Sequence, residues 1–190
     1  VTTIGRSAFN SCTRLTSVGL SEGLTSIGGY AFQYCSGLTV LTIPSTVTSI
    51  GSGAYYNGFY FNGGGVFAGC TGLTSIDIPN GVTSIEPNTF YGCTGLASIN
   101  LPEGLVSIGD GAFANCSSLS ALTIPSTVSS IGSEATGTGA FSGCTGLSSI
   151  TSMAYYPPIL SNVNTFPFAA IRNIPVHIPC GSSMNYRYAA

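Results

Sequence analysis

Phenylalanine recurs along this chain at Phe9, Phe32, Phe67, Phe90, Phe113 and Phe141, with spacings of 23, 35, 23, 23 and 28 residues. A cysteine follows each by three positions, at Cys12, Cys35, Cys70, Cys93, Cys116 and Cys144. A leucine stands three positions further on, at Leu15, Leu38, Leu73, Leu96, Leu119 and Leu147. Three residue types held at fixed offsets through six copies define an internal repeat, and a repeat overrides any helix or strand reading made window by window. The base period is 23 residues, and one complete unit runs from Ile85 to Ile108.

Within a unit the consensus is I-x-x-x-x-F-x-x-C-x-x-L-x-x-I-x-I-P-x-x-V-x-x-I. The segments Leu15–Leu20, Leu38–Ile43, Leu73–Ile78, Leu96–Leu101 and Leu119–Ile124 each end in an apolar, polar, apolar triplet, which predicts a short strand with one buried face. The central residues Gly19, Thr42, Asp77, Asn100 and Thr123 are then expected to face solvent. Pro44, Pro79, Pro102 and Pro125 follow, and a residue without an N–H ends the strand. A turn and a second apolar pair such as Val82 and Ile85 close the coil. The segment around the phenylalanine is expected to form a turn or a short helical piece with its ring directed inward.

Composition agrees with a stacked core. Hydrophobic residues make up 44% of the 190 positions, enough to bury surface that offsets the ordering entropy of the chain. We therefore expect a folded solenoid in which successive strands stack into a parallel sheet about 4.8 Å apart. The only basic side chains, Arg6, Arg14, Arg172 and Arg187, are scattered, which argues against a nucleic-acid partner. No apolar run reaches the length of a membrane span. The opening residues VTTIGRSAF already lie inside a unit, so either a targeting segment has been removed or, as we prefer, the chain is a piece of a longer protein.

Two units are lengthened at the same phase, between the closing isoleucine and the phenylalanine. One addition falls within residues 51–66 and the other within 132–140, and insertions at one phase emerge on one side of a solenoid. Units with these insertions occupy residues 1–151. After Ile150 the pattern changes, with Tyr155-Tyr156-Pro157-Pro158 and a phenylalanine, Phe168, that lacks its cysteine. Residues 152–190 read as a diverged terminal repeat that caps the core.

Few residues carry chemistry. The periodic cysteines run one per coil, unlike the converging ligands of a zinc site, and read best as buried free thiols, with disulfides between adjacent coils as the alternative. Cys180 is out of phase and lies three residues after His177, an offset that puts the two on opposite faces of an extended segment. Asp77 and Asn100 share a phase on neighbouring strands and are candidate ligand contacts, though two oxygen donors fall short of a calcium site. Tyr55, Tyr56, Phe59, Tyr60 and Phe61 in the first insertion are candidates for burying area against a partner, or else fold back over the solenoid. Tyr155 and Tyr156 pose the same choice. No phosphate-binding glycine motif is present, and no catalytic residue, metal ligand or cofactor is assigned. Corner glycines such as Gly28, Gly51, Gly109 and Gly132 read as structural.

The runs AFQYCSGLTVLTIPSTVTSIG, AFANCSSLSALTIPSTVSSIG and TFYGCTGLASINLPEGLVSIG resemble BspA-like leucine-rich repeats, found in bacterial surface proteins and in some protist surface proteins. The likeness covers Val1–Ile150, and the Pro-Pro segment followed by a strand, proline and Gly-Ser resembles that family's usual finish. It implies a right-handed leucine-rich repeat solenoid of short parallel strands with an atypical C-terminal capping repeat. It further implies a secreted or cell-surface, adhesin-like bacterial protein whose partners are an extracellular or host protein, other cells or a glycan. No catalytic residues come with the family. The two insertions depart from its regular period. A passive spacer within a larger surface protein is the main rival reading, and a glycan-processing or thiol enzyme is a distant one.

Overall fold

The computed structural model describes residues 1–51, 65–132, 139–156, 158–160 and 175–181. Twelve short strands are present among them: β1 Thr3–Ile4, β2 Ser26–Ile27, β3 Ser49–Ile50, β4 Ser75–Asp77, β5 Ser84–Ile85, β6 Ser98–Asn100, β7 Ser107–Ile108, β8 Ala121–Ile124, β9 Ser130–Ile131, β10 Ser149–Ser152, β11 Ile159–Leu160 and β12 Val176–His177. Every pairing between them is parallel, and partners in the regular units are 23 residues apart, as in Ser75↔Ser98 and Ser84↔Ser107. The molecule is a β-solenoid of short parallel strands on a 23-residue period.

Each coil has three sides. The first is the predicted strand, which forms β4–β6 and β8–β10–β12 and continues into the early coils as a bridge between Ser17 and Val40. Its alternation is as the pattern requires: Ile76 and Ile99 point inward, while Gly19, Thr42, Asp77, Asn100 and Thr123 are all exposed. The prolines end it and open a turn, whose carbonyls accept the N–H three residues on, as in Val82 N to Pro79 O at 3.0 Å. The second side is the closing segment. It is itself a strand of Ser-Ile pairs, giving the sheets β1–β2–β3 and β5–β7–β9–β11.

The third side is a ridge of turns, with no helix among the described residues. From Phe9 to Phe113, each phenylalanine N–H donates to the carbonyl just before the next coil's phenylalanine, as in Phe67 N to Thr89 O at 2.9 Å. Two residues on, Gly69 N donates to Tyr91 O at 2.8 Å. Between these bonds the chain passes through left-handed conformations two positions before and two after the phenylalanine. Ser7, Tyr30, Asn88 and Gly111 take the first place with φ of 57°, 61°, 58° and 62°. Ser11, Tyr34, Gly69, Gly92, Asn115 and Gly143 take the second. A helix cannot form through two such residues.

The core is built from files of identical residues. Consecutive phenylalanine rings stack with centroids 5.1 to 5.7 Å apart and planes within 14° of parallel. Phe32, Phe67, Phe90, Phe113 and Phe141 are fully buried, as are Cys35, Cys70, Cys93, Cys116 and Cys144 and the leucines from Leu38 to Leu119, with Leu147 almost so. The first unit departs from the expected core. Cys12 is exposed, and Phe9 and Leu15 are only half-buried, because their coil packs against a neighbour on one side alone.

Both ladders lapse together at one junction; the first side also parts between β6 and β8, where Ser120 N to Ala97 O at 3.3 Å still crosses. Among the described residues no backbone hydrogen bond joins β3 to β5, nor the strand at Val40 to β4. Among the described residues the bonds that cross are Phe32 N to Val66 O and Tyr34 N to Ala68 O on the ridge and the Cys70 thiol to Phe32 O, and here the phenylalanine rings are furthest apart, at 5.7 Å. In sequence this seam falls between Gly51 and Gly65, the described residues on either side of the longer insertion. Beyond Ile150 both ladders go on: β11 pairs with β9, and β12 pairs with β10 through Ile150↔Val176 and Thr151↔His177.

Candidate functional site

The polar face of the first side brings Asp77 and Asn100 together. They are register partners on β4 and β6, and the Asn100 Nδ2 donates to the Asp77 Oδ1 at 2.5 Å. Both are exposed, so the pair presents an amide and a carboxylate side by side with a remaining acceptor and donor for a ligand. Ser75 and Ser98, also exposed, pair beside them. No group of three or more His, Cys, Asp or Glu side chains able to hold a metal occurs among the described residues.

Tyr155 and Tyr156 lie elsewhere, past β10 and separated from that pair by β8. Their rings meet edge to face at 5.1 Å and 81°, and they are 52% and 70% exposed. The structure therefore does not gather Asp77, Asn100, Tyr155 and Tyr156 into one patch. Tyr55, Tyr56, Phe59, Tyr60 and Phe61 lie outside the described residues. His177 and Cys180 are both exposed near the end of the stack, and no hydrogen bond joins them among the described residues.

The cysteines serve the frame. Each buried thiol donates to the carbonyl of the preceding coil's phenylalanine: Cys35 to Phe9, Cys70 to Phe32 and Cys93 to Phe67 at 3.0 Å, Cys116 to Phe90 at 3.2 Å, and Cys144 to Phe113 at 3.0 Å. All seven cysteines are free thiols. Burial is the chief cause that pushes Cys70 up to about 12 and Cys144 up to about 11, and it holds Cys93 and Cys116 well above the ordinary thiol value. Thiols held neutral in this way are poor nucleophiles and poor metal ligands.

Two features went unread in the sequence. Gly37, Gly72, Gly95 and Gly146 precede the repeat leucine, and a Cβ on Gly37 or Gly72 would lie 2.5 Å from a carbonyl oxygen of the preceding coil, so backbones meet there. The recurring Cys-Thr/Ser-Gly-Leu run was the available signal. The second feature is a groove on the ridge, lined by Tyr34 and Tyr91, for which periodicity offers no signal because both residues break it.

These features define a leucine-rich repeat solenoid. Residues 1–62 and 63–176 match the family described as BspA type leucine rich repeat region, and the chain belongs to that family. No curated protein matches the chain significantly. Among solved structures, a leucine rich cell surface protein from Faecalibacterium prausnitzii is similar at 35% identity over 85% of this chain and 39% of its own, with a TM-score of 0.67. A leucine rich repeat protein from T. pallidum is similar at 33% identity over 72% of this chain and 58% of its own, with a TM-score of 0.59. The chain thus spans less than two thirds of either relative.

Proposed function

We propose that this chain is a non-enzymatic recognition module of a bacterial secreted or cell-surface, adhesin-like protein, and that it binds an extracellular or host protein, another cell or a glycan. The observation that carries the reading is the exposed strand face on which Asp77 and Asn100 stand in register, flanked by Ser75 and Ser98. Solenoids use such extended surfaces for binding. The surface location is supported by the likeness to the F. prausnitzii cell surface protein. The buried periodic thiols are held neutral, which makes them poor nucleophiles.

A passive spacer is the second reading. It is favoured by the bond that Asp77 and Asn100 make with each other, which uses up part of their capacity for a ligand. The two readings separate in a binding experiment on immobilised extracellular-matrix proteins and mucosal glycans. Recognition through this face predicts saturable binding that Asp77→Ala with Asn100→Ala weakens about tenfold, the cost of two lost polar contacts. A chain that binds nothing on the panel speaks for the spacer. Binding indifferent to the double variant, but lost on removal of residues 53–64, would move recognition to the first insertion.

A further inference from the structure

The groove on the ridge has a volume of about 410 Å³ and crosses the seam, from Thr13 in the first coil to Tyr91 in the fourth. That size falls among small-ligand clefts, roughly 300 to 1,000 Å³. Its walls are two tyrosines that depart from the repeat. Tyr34 occupies the left-handed position after the phenylalanine, where the other coils have Ser11, Gly69, Gly92, Asn115 and Gly143. A bulky residue at φ 58° is disfavoured, by about 1 to 2 kcal/mol, and strain of this kind concentrates at functional positions.

The Tyr34 ring is 52% exposed and lies over Gly69 of the next coil, where a Cβ would stand 2.9 Å from its Cε1. Tyr91 stands two coils from Tyr34, at a phase where the third and fifth coils have Ala68 and Ala114. Tyr34 and Tyr91 therefore line the groove together with a coil reduced to Ala68 and Gly69.

The rest of the lining decides what fits. Thr13, Ser36 and Thr71 are exposed, and their hydroxyls make no hydrogen bond among the described residues. Each offers one donor and two acceptor lone pairs. No acidic or basic side chain lines the groove, so a nucleotide phosphate or a charged headgroup would have no counter-charge there. A sugar ring has a C–H face that packs on an aromatic face and an edge of hydroxyls that both donate and accept.

We propose that the Tyr34–Tyr91 groove binds a neutral saccharide, its ring faces on the tyrosines and its hydroxyls on Thr13, Ser36 and Thr71. The inference rests on the recognition reading and names a ligand class for it, at a surface separate from the Asp77–Asn100 face.

The test is calorimetric titration of the chain with neutral tetrasaccharides of glucose, galactose and N-acetylglucosamine. Tyr34→Ser and Tyr91→Ala copy residues that other coils already hold at these phases, Ser11, Ala68 and Ala114, and so keep the stack. At least one saccharide is expected to bind, and each variant to weaken it about tenfold, the value of one stacked ring. Ser129→Ala, at an exposed position outside the groove, is expected to leave this binding unchanged. Amide shifts at Gly69 and Gly92 on adding the saccharide to the unsubstituted chain give a readout independent of any variant. No binding, shifts confined to other coils, or binding only of a proline-rich peptide would each overturn the proposal. Saccharide binding lost with Asp77→Ala but not with the tyrosine variants would also overturn it, while leaving the recognition reading intact.

Discussion

The Cys93 thiol donates to the carbonyl oxygen of Phe67 at 3.0 Å, so a side chain of one coil closes onto the backbone of the coil before it. That oxygen also accepts the Cys70 N–H at 3.0 Å, and it stays satisfied when the thiol is removed. Cys93→Ala is therefore expected to cost only the lost packing and one weak bond, about 1 to 2 kcal/mol by denaturant unfolding.

The same thiols set an alkaline limit. Their folded-state values lie above 9.0, reaching about 11 for Cys144 and about 12 for Cys70. The unfolded chain loses these protons first, so it binds fewer protons than the folded one above pH 9. Stability is expected to hold below pH 9 and to fall between about pH 9 and 12, by up to about 1.4 kcal/mol per pH unit for each such thiol. Denaturant titrations at pH 7.5 and 10 check the sign.

Thiol labelling gives a separate count. Cys12 and Cys180 are exposed and the other five are buried. An aromatic disulfide reagent at pH 8 is expected to release two equivalents of thiolate quickly and the remaining five only in denaturant.

The phenylalanine file predicts a graded cost. Phe113 is fully buried between Phe90 and Phe141, each 5.3 Å away, and Phe113→Ala is expected to cost about 3 to 5 kcal/mol. Phe9 is half-buried with a ring neighbour on one side only, and Phe9→Ala is expected to cost about half as much.

Backbone contact separates two glycines that look alike in sequence. A Cβ on Gly72 would stand 2.5 Å from the Ser36 oxygen, whereas one on Gly19 would meet nothing within 4 Å. Gly72→Ala is expected to lose about 1 to 3 kcal/mol and Gly19→Ala to be neutral or slightly stabilising, as thermal melts would show.

Phe, Cys and Leu are legible because each fills one inward position per coil, and filling it demands the same side chain every time. Left-handed positions demand only a backbone conformation. Ser7, Tyr30, Asn88 and Gly111 meet it with four different side chains, so no residue type recurs to mark the place. The second sheet was hidden for another reason: Ser84–Ile85 and its counterparts are two residues long, too short for an alternation to show. Asp77 and Asn100 could be paired from their common phase, but the bond between them depends on rotamers. The groove at Tyr34 needed the placement of Gly69, 35 residues away, beneath its ring.

The lapse of both ladders between β3 and β5 bears on how the stack comes apart. In a solenoid each coil is stabilised by its neighbours, and cooperativity passes along the stack only as strongly as its weakest interface transmits it. Across the seam that coupling falls to the ridge hydrogen bonds, the Cys70 thiol and the packed side chains beside them. Melting should accordingly proceed in two stages, the coils of Phe9 and Phe32 fraying first, while the coils from Phe67 onward persist as a separate folding unit.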